Sequence, residues 1–196
     1  MTLIKKIILF LLIGLMIIRG YLFYTDWSHN KARQAAEEIF QETIYKKTNK
    51  ASQEAVELKK APLLPKNNAE IIGRIEIDAL HLSYIILEGV TEENLSISIS
   101  KVTGPPIHSK GNLVLAGHNM RDGTLFGKLK HLKVSDSIRL QDLTGVSKEY
   151  IIYDKKIVKD TDLSPLNQFI SESPIVTLIT CTTQEDERAI FFAEQK

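Results

Sequence analysis

The chain has a single cysteine, Cys181, among its 196 residues. No disulfide can form within it, and a zinc site built on several thiolates is excluded. It also lacks an excess of charge: 25 Lys and Arg against 24 Asp and Glu leave a formal charge of +1. No strong field argues for nucleic acid or another polyanion as partner. Internal repeats and low-complexity tracts are absent. What remains is an ordinary composition, 43% hydrophobic and 25% charged, enough for one globular domain with appendages.

The N-terminus is the first positive feature. Lys5 and Lys6 precede Ile7 to Ile18, a run apolar apart from Gly14, and Tyr21-Leu-Phe-Tyr24 follows Arg19 and Gly20. About 18 helical residues at 1.5 Å each span roughly 27 Å, close to a bilayer's hydrocarbon thickness. Arg19 near the outer end can snorkel to the interface, and Tyr21, Tyr24 and Trp27 suit an aromatic belt. Lys5 and Lys6 favour a cytoplasmic N-terminus. A cleaved signal peptide would look much the same, but Arg19 to Trp27 holds no Ala-x-Ala-like cleavage site. The uncleaved signal anchor is therefore the favoured reading. In both readings the rest of the chain is exported, where a free thiol is a liability unless buried or used.

Ser28 to about Lys60 is polar and rich in helix formers, with sparse apolar positions at Ala32, Ala36, Ile39, Phe40 and Ile44. It reads as a solvated helical stalk. Ala61 to Asn68, with two prolines and two asparagines, reads as a linker. Three parts are thus expected: 1–27 as tip and membrane helix, 28–68 as stalk and linker, 69–196 as a β domain. In the last part, short strands are expected at Ile71–Ile77, Leu82–Leu87, Gly111–Ala116, Ser137–Gln141, Glu149–Tyr153, Ile157–Val158, Ile175–Thr180 and Arg188–Ala193. Such a series suggests a closed barrel or a sandwich. Leu95 to Ile99 also alternates like a strand. Helical turns are expected at Thr124–Leu132 and at Ser164–Ile170, the latter with Ser164 as N-cap and Pro165 at the first helical position.

Two residues close apolar strands at loop mouths. His118 follows Asn112-Leu-Val-Leu-Ala-Gly117, and the glycine before it permits close approach of another backbone or a substrate. The other histidines, His29, His81, His108 and His131, read as solvated surface residues. Cys181 ends Ile175 to Thr180. A cysteine on an apolar strand is often inert filler, but this one stands at the strand end. Arg188 opens the next strand a loop away, and a hairpin would bring it opposite Cys181. A guanidinium or an imidazolium near a thiol favours the thiolate. The alternative for Arg188 is a surface ion pair with Glu185 or Glu187. A metal site on His118 and Cys181 lacks ligand count.

Leu115-Ala-Gly-His118-Asn, Gly123-Thr-Leu-Phe-Gly-Lys-Leu and Thr177-Leu-Ile-Thr-Cys181 with its following arginine together resemble the sortases. These are membrane-anchored cysteine transpeptidases of Gram-positive bacteria. The resemblance covers Ile71 to the C-terminus and fits the anchor and stalk. It implies a mainly β fold, a closed eight-stranded sortase-type barrel with short helices, and a short helix rather than a strand at Leu95–Ile99. It implies Cys181 as nucleophile, His118 as general acid/base and Arg188 as the oxyanion-stabilising group. Thr180 and Asn119 are weaker candidates for substrate positioning.

The expected reaction cleaves a Leu-Pro-x-Thr-Gly-like sorting signal at Thr–Gly through a thioester. The expected acceptor is an amine of the cell-wall precursor, or alternatively a pilin lysine. A cysteine hydrolase passing the acyl group to water needs the same acyl-enzyme, and an inert membrane-tethered binding module needs none. A class A-like enzyme is expected, with class D next, although Gly117 to Phe126 resembles class B in wording. The expected location is the cell membrane, single-pass, with the β domain facing the wall. No cofactor is expected. Glu92, Glu93, Asp160 and Asp162 read as solvated loop charges, the alternative being a calcium-binding surface.

Overall fold

The computed structural model describes residues 3–49, 62–168 and 173–196. The end of the expected stalk and start of the linker, residues 50–61, and the end of the expected Ser164–Ile170 turn, residues 169 and 170, lie outside the described residues.

Helix α1 runs unbroken from Leu3 to Asn49, 47 residues, or about 70 Å at the α-helical rise. It has two characters. From Ile7 to Trp27 its large apolar side chains are exposed on all sides, and by length and composition it can cross a membrane. Its second half is not the solvated stalk expected. Ala32, Ala36 and Phe40 lie one turn apart on one stripe and are buried. They pack with Ile71, Ile85, Leu87 and Ile97 in a cluster outside the barrel. The two alanines let the helix approach closely. Polar contacts flank the seam. Arg33 Nε donates to the Ile97 carbonyl at 2.8 Å, Arg74 pairs with Glu37, and the Arg74 guanidinium lies 4.8 Å from the Phe40 ring centre. A helix with sparse apolar residues looks solvated until a partner face is known.

Eight strands close into a barrel: β1 Ile71–Ile77, β2 Leu82–Glu88, β3 Ile99–Thr103, β4 Gly111–Ala116, β5 Ser137–Asp142, β6 Ser147–Lys159, β7 Pro174–Cys181 and β8 Glu187–Gln195. Their order around the barrel is β1-β2-β3-β4-β7-β8-β6-β5. The β2–β3 and β4–β7 pairs are parallel and the others antiparallel. Inward side chains such as Ile75, Leu113, Leu115, Val176, Leu178 and Phe191 fill the interior. Closure leaves no edge strand.

Four sequence expectations change. The strands expected at Glu149–Tyr153 and Ile157–Val158 are one strand, β6, whose register against β8 shifts between Ile152 and Asp154. The irregularity turns consecutive residues outward and hides the continuity. Strand β3 was not expected. The stretch before it is helix α2, Glu92–Ile97, as the family resemblance implies and the local alternation does not. Thr91 caps it by accepting from Asn94 N at 3.0 Å. The buried Asn94 amide donates to the carbonyls of Glu88 and Gly89 at 3.1 and 2.9 Å. The expected turn at Thr124–Leu132 shrinks to one 3-10 turn, Leu129–His131. Ser164 is not an N-cap. It opens a 3-10 turn with Pro165 inside it, and its N–H donates to Asp162 Oδ1 at 2.8 Å.

Candidate active site

Strands β4 and β7 bring the two candidate chemical residues together. They pair in parallel from Gly111↔Pro174 to Ala116↔Ile179. Continuing that register by two residues sets His118 level with Cys181 at the same end of the barrel. The junction is bonded beyond the strands. Gly117 N donates to Ile179 O at 3.2 Å, and Thr180 Oγ1 donates to Gly117 O at 2.8 Å. Asn119 Nδ2 donates to Cys181 O at 2.8 Å. The two candidates for substrate positioning thus spend these groups on tying the two strand ends to each other.

Below the junction lies a buried polar network. Thr177 Oγ1 donates to Asn112 Oδ1 at 2.7 Å. Asn112 Nδ2 donates to the carbonyls of Pro165 and Asn167 at 3.0 and 3.1 Å. Both side chains are fully buried. Sequence reading passed over them. A polar residue on each of two apolar strands was the available signal, because buried amides and hydroxyls require partners.

Gly117 makes room for the protein's own side chains. A Cβ there would stand 2.6 Å from Ile99 Cδ1 and 2.8 Å from Phe126 Cδ2. Phe126 is held in place by its N–H, which donates to His118 O at 3.0 Å. The loop from Met120 to Thr124 is closed by Asp122, whose Oδ1 accepts from the N–H and hydroxyl of Thr124 at 2.9 and 2.7 Å. Those bonds hold its carboxyl below the ordinary value.

Cys181 is exposed. It pairs directly with Arg188 across the β7–β8 hairpin, as the hairpin reading required. The Arg188 guanidinium leans on its own turn: Nη1 donates to the carbonyls of Glu185 and Glu187 at 3.0 and 2.9 Å. The carboxylate it faces is Asp160, 3.8 Å away, and not either turn glutamate. Those contacts occupy at most three of its five N–H donors. His118 is partly exposed, with Nε2 3.9 Å from Glu92 Oε2. Among the described residues, no three His, Cys, Asp or Glu side chains converge as metal ligands.

The other histidines separate. His81 and His131 are exposed and His29 is half-buried. His108 is not the solvated surface residue expected. Its Nε2 meets Val146 O and its Nδ1 meets Tyr150 Oη, each at 3.1 Å. A carbonyl only accepts, so Nε2 carries a proton, and in the neutral ring Tyr150 donates to Nδ1.

A cleft of about 470 Å³ opens beside Cys181. Its lining includes Asn119, Thr180, Thr182 and Thr183 from the strand ends, together with Phe126 and Ile157. Lys130, Lys155 and Lys156 also line it. These residues come from β6, β7, β8 and two loops, so no local motif marks them in the sequence.

Known proteins resemble this chain in sequence and in fold. The Sortase domain family model matches residues 75–196. Sortase A of Bacillus anthracis is 31% identical over 198 residues, covering 93% of this chain and 88% of its own. Sortase A of Listeria monocytogenes is 29% identical over 124 residues, 63% of this chain and 54% of the Listeria protein's length. Its crystal structure superposes with a TM-score of 0.59 over 64% of this chain and 87% of that one. The Clostridium perfringens Sortase D5 structure, 24% identical, shares the fold at a TM-score of 0.63 over 81% and 99% of the two chains. With its closed eight-stranded barrel and a family match that runs from β1 to the last residue, the chain belongs to the sortase family.

Proposed function

We propose that the protein is a cysteine transpeptidase with Cys181 as nucleophile, His118 as general acid/base and Arg188 as oxyanion donor. The observation that carries this reading is an exposed Cys181 that lines the cleft, with Arg188 paired to it across the hairpin and His118 level with it by the β4–β7 register. The Cys181 thiolate attacks the threonine carbonyl of a Leu-Pro-x-Thr-Gly-like signal. The oxyanion takes hydrogen bonds from the N–H groups of Arg188 not used by its turn. The C–N bond to glycine breaks, and imidazolium His118 gives its proton to the leaving amine. An acceptor amine then attacks the thioester. A new C–N bond forms, the C–S bond breaks, and the amine's proton returns to His118.

The acceptor is an amine of the cell-wall precursor, in line with the Sortase A names of the sequence relatives. The donor is a secreted protein bearing the sorting signal. The first part of α1 anchors the chain with a cytoplasmic N-terminus and the barrel on the wall side. On this reading residues 1–27, 28–68 and 69–196 serve as anchor, support and catalytic domain. The reaction needs no bound cofactor.

Mass spectrometry of the protein with a library of sorting-signal peptides tests the reading. A thioester adduct on Cys181, absent in Cys181→Ala, supports it. No adduct with any peptide overturns it. Product analysis with an added amine separates transfer from hydrolysis, since free acid as sole product would leave a hydrolase.

A further inference from the structure

The charges of the cleft are one-sided. Lys155 and Lys156 come from β6 and Lys130 from the 3-10 turn Leu129–His131, and all three line the cavity that Cys181 lines. Among the described residues, no aspartate or glutamate lines it. The Lys155 ammonium donates to Leu132 O at 3.0 Å, which fixes its place without neutralising it. Lys156 Nζ sits 5.2 Å from the Phe192 ring centre. Its charge reaches Asp162, but the two form no ion pair. Lys130 has no acidic partner among the described residues. Acidic groups nearby are committed elsewhere: Asp186 bonds Lys159 at 2.7 Å, and Asp160 faces Arg188.

Much of the remaining lining is apolar. Phe126, Ile157 and Phe191 share the lining with the lysines and Cys181. Low-dielectric walls concentrate the field of charges at a cleft and raise the local concentration of the opposite sign. A carboxylate entering here gains from the positive charges of the lining lysines with no competing acid among the described lining residues, while an entering ammonium is repelled.

We propose that the peptide substrate taken by this cleft carries an aspartate or glutamate within or just before its sorting signal, held by Lys130, Lys155 and Lys156. This rests on the transpeptidase reading and specifies its substrate. It makes the lysines specificity determinants that touch the substrate away from the reacting bond. Nothing else in the composition would suggest it, because the chain as a whole is nearly neutral.

The test uses the full chain and sorting-signal peptides in which one position at a time, x or either residue before leucine, is Ala, Glu or Lys. The readout is the initial rate of Cys181 adduct formation by mass spectrometry. At one position or more, Glu should outrun Lys by about tenfold at low salt, as two screened charge contacts of opposite sign allow. The ratio should shrink to about twofold when salt rises from about 0.05 M to about 0.5 M. Lys130→Glu with Lys156→Glu should reverse the order. Lys130→Gln, a milder change at an exposed position, should reduce the ratio without reversing it. Adduct formation at equal rates for Glu and Lys peptides at every position overturns the proposal and leaves the transpeptidase reading standing. So does a preference that survives Lys130→Glu with Lys156→Glu. Failure of all peptides to form an adduct overturns both.

Discussion

Asn119 Nδ2 donates to the backbone carbonyl of Cys181 at 2.8 Å, which locks the loop after His118 to the end of the cysteine strand. Asn119→Ala removes that bond and frees the two loop mouths to drift apart. We expect the rate of acyl-enzyme formation to fall by about threefold to tenfold, the effect of one ordinary hydrogen bond. Thermal stability should change little. Measuring both on one preparation separates a local misalignment from unfolding, and an unchanged rate removes the positioning role.

Arg188 tests the electrostatic part of the mechanism. Its guanidinium braces the turn through Glu185 and Glu187 and keeps further donors. Arg188→Lys preserves charge but not the planar fork. Acylation by a peptide that forms the adduct should fall by about 10²-fold to 10³-fold, the effect of losing an oxyanion donor. Circular dichroism should stay that of the parent. A loss below about fivefold, with the fold intact, would mean that Arg188 only braces the turn.

The Asn112–Thr177 network holds β4 and β7 in register. Asn112→Ala removes the amide that the buried Thr177 hydroxyl and Pro165 carbonyl bond. Denaturant titration should show a loss of about 2–3 kcal/mol, since buried polar groups are left unpaired. A loss under about 0.5 kcal/mol would show that water replaces the amide.

At Gly117 the limit is space. Gly117→Ala places a methyl 2.6 Å from Ile99 Cδ1 and 2.8 Å from Phe126. Overpacking should lower stability by about 1–3 kcal/mol. Because His118 is the next residue, adduct formation should fall too. Pairing the change with Ile99→Val should recover part of the stability, and lack of any recovery would place the strain elsewhere.

Tyr150 supplies a pH dependence. It is 1% exposed, and burial pushes its hydroxyl up to about 12. The folded state therefore holds a proton that the unfolded state releases near pH 10. This contribution is complete below pH 10 and is lost as pH rises through about 12. Subtracting the unfolding free energies of Tyr150→Phe from those of the parent should give a flat line to about pH 10 and a decline above it. A flat difference to pH 12 would show that the hydroxyl ionises in the folded state as readily as in the unfolded one.

Much of the barrel and the strand-end positions of the candidate site residues were legible in the sequence. Alternation and apolar runs located β1, β2, β4, β5, β7 and β8 to within a residue or two, because one strand face must meet the core. The strand-end placement of His118 and Cys181 came from the same pattern. Helix α2 and strand β3 were not legible by pattern. The helix depends on a Thr91 cap and on Asn94 bonding two carbonyls of the preceding loop, contacts that periodicity cannot weigh. The join in β6 was hidden by a register shift. His108 looked like loop surface because Tyr150, 42 positions away, is its partner only in the folded chain.

The sequence by itself determined that an apolar helix precedes a β domain, that a lone thiol ends a strand, and that an arginine answers it across a short turn. These are local facts, set by side-chain period and chain continuity. Tertiary structure alone decided that parallel pairing of β4 and β7 sets His118 level with Cys181. It alone docked Ala32, Ala36 and Phe40 on the barrel and gathered three lysines around the cleft. Closing the barrel joins residues far apart in the chain, and no spacing along a single strand records which distant strand will be its neighbour.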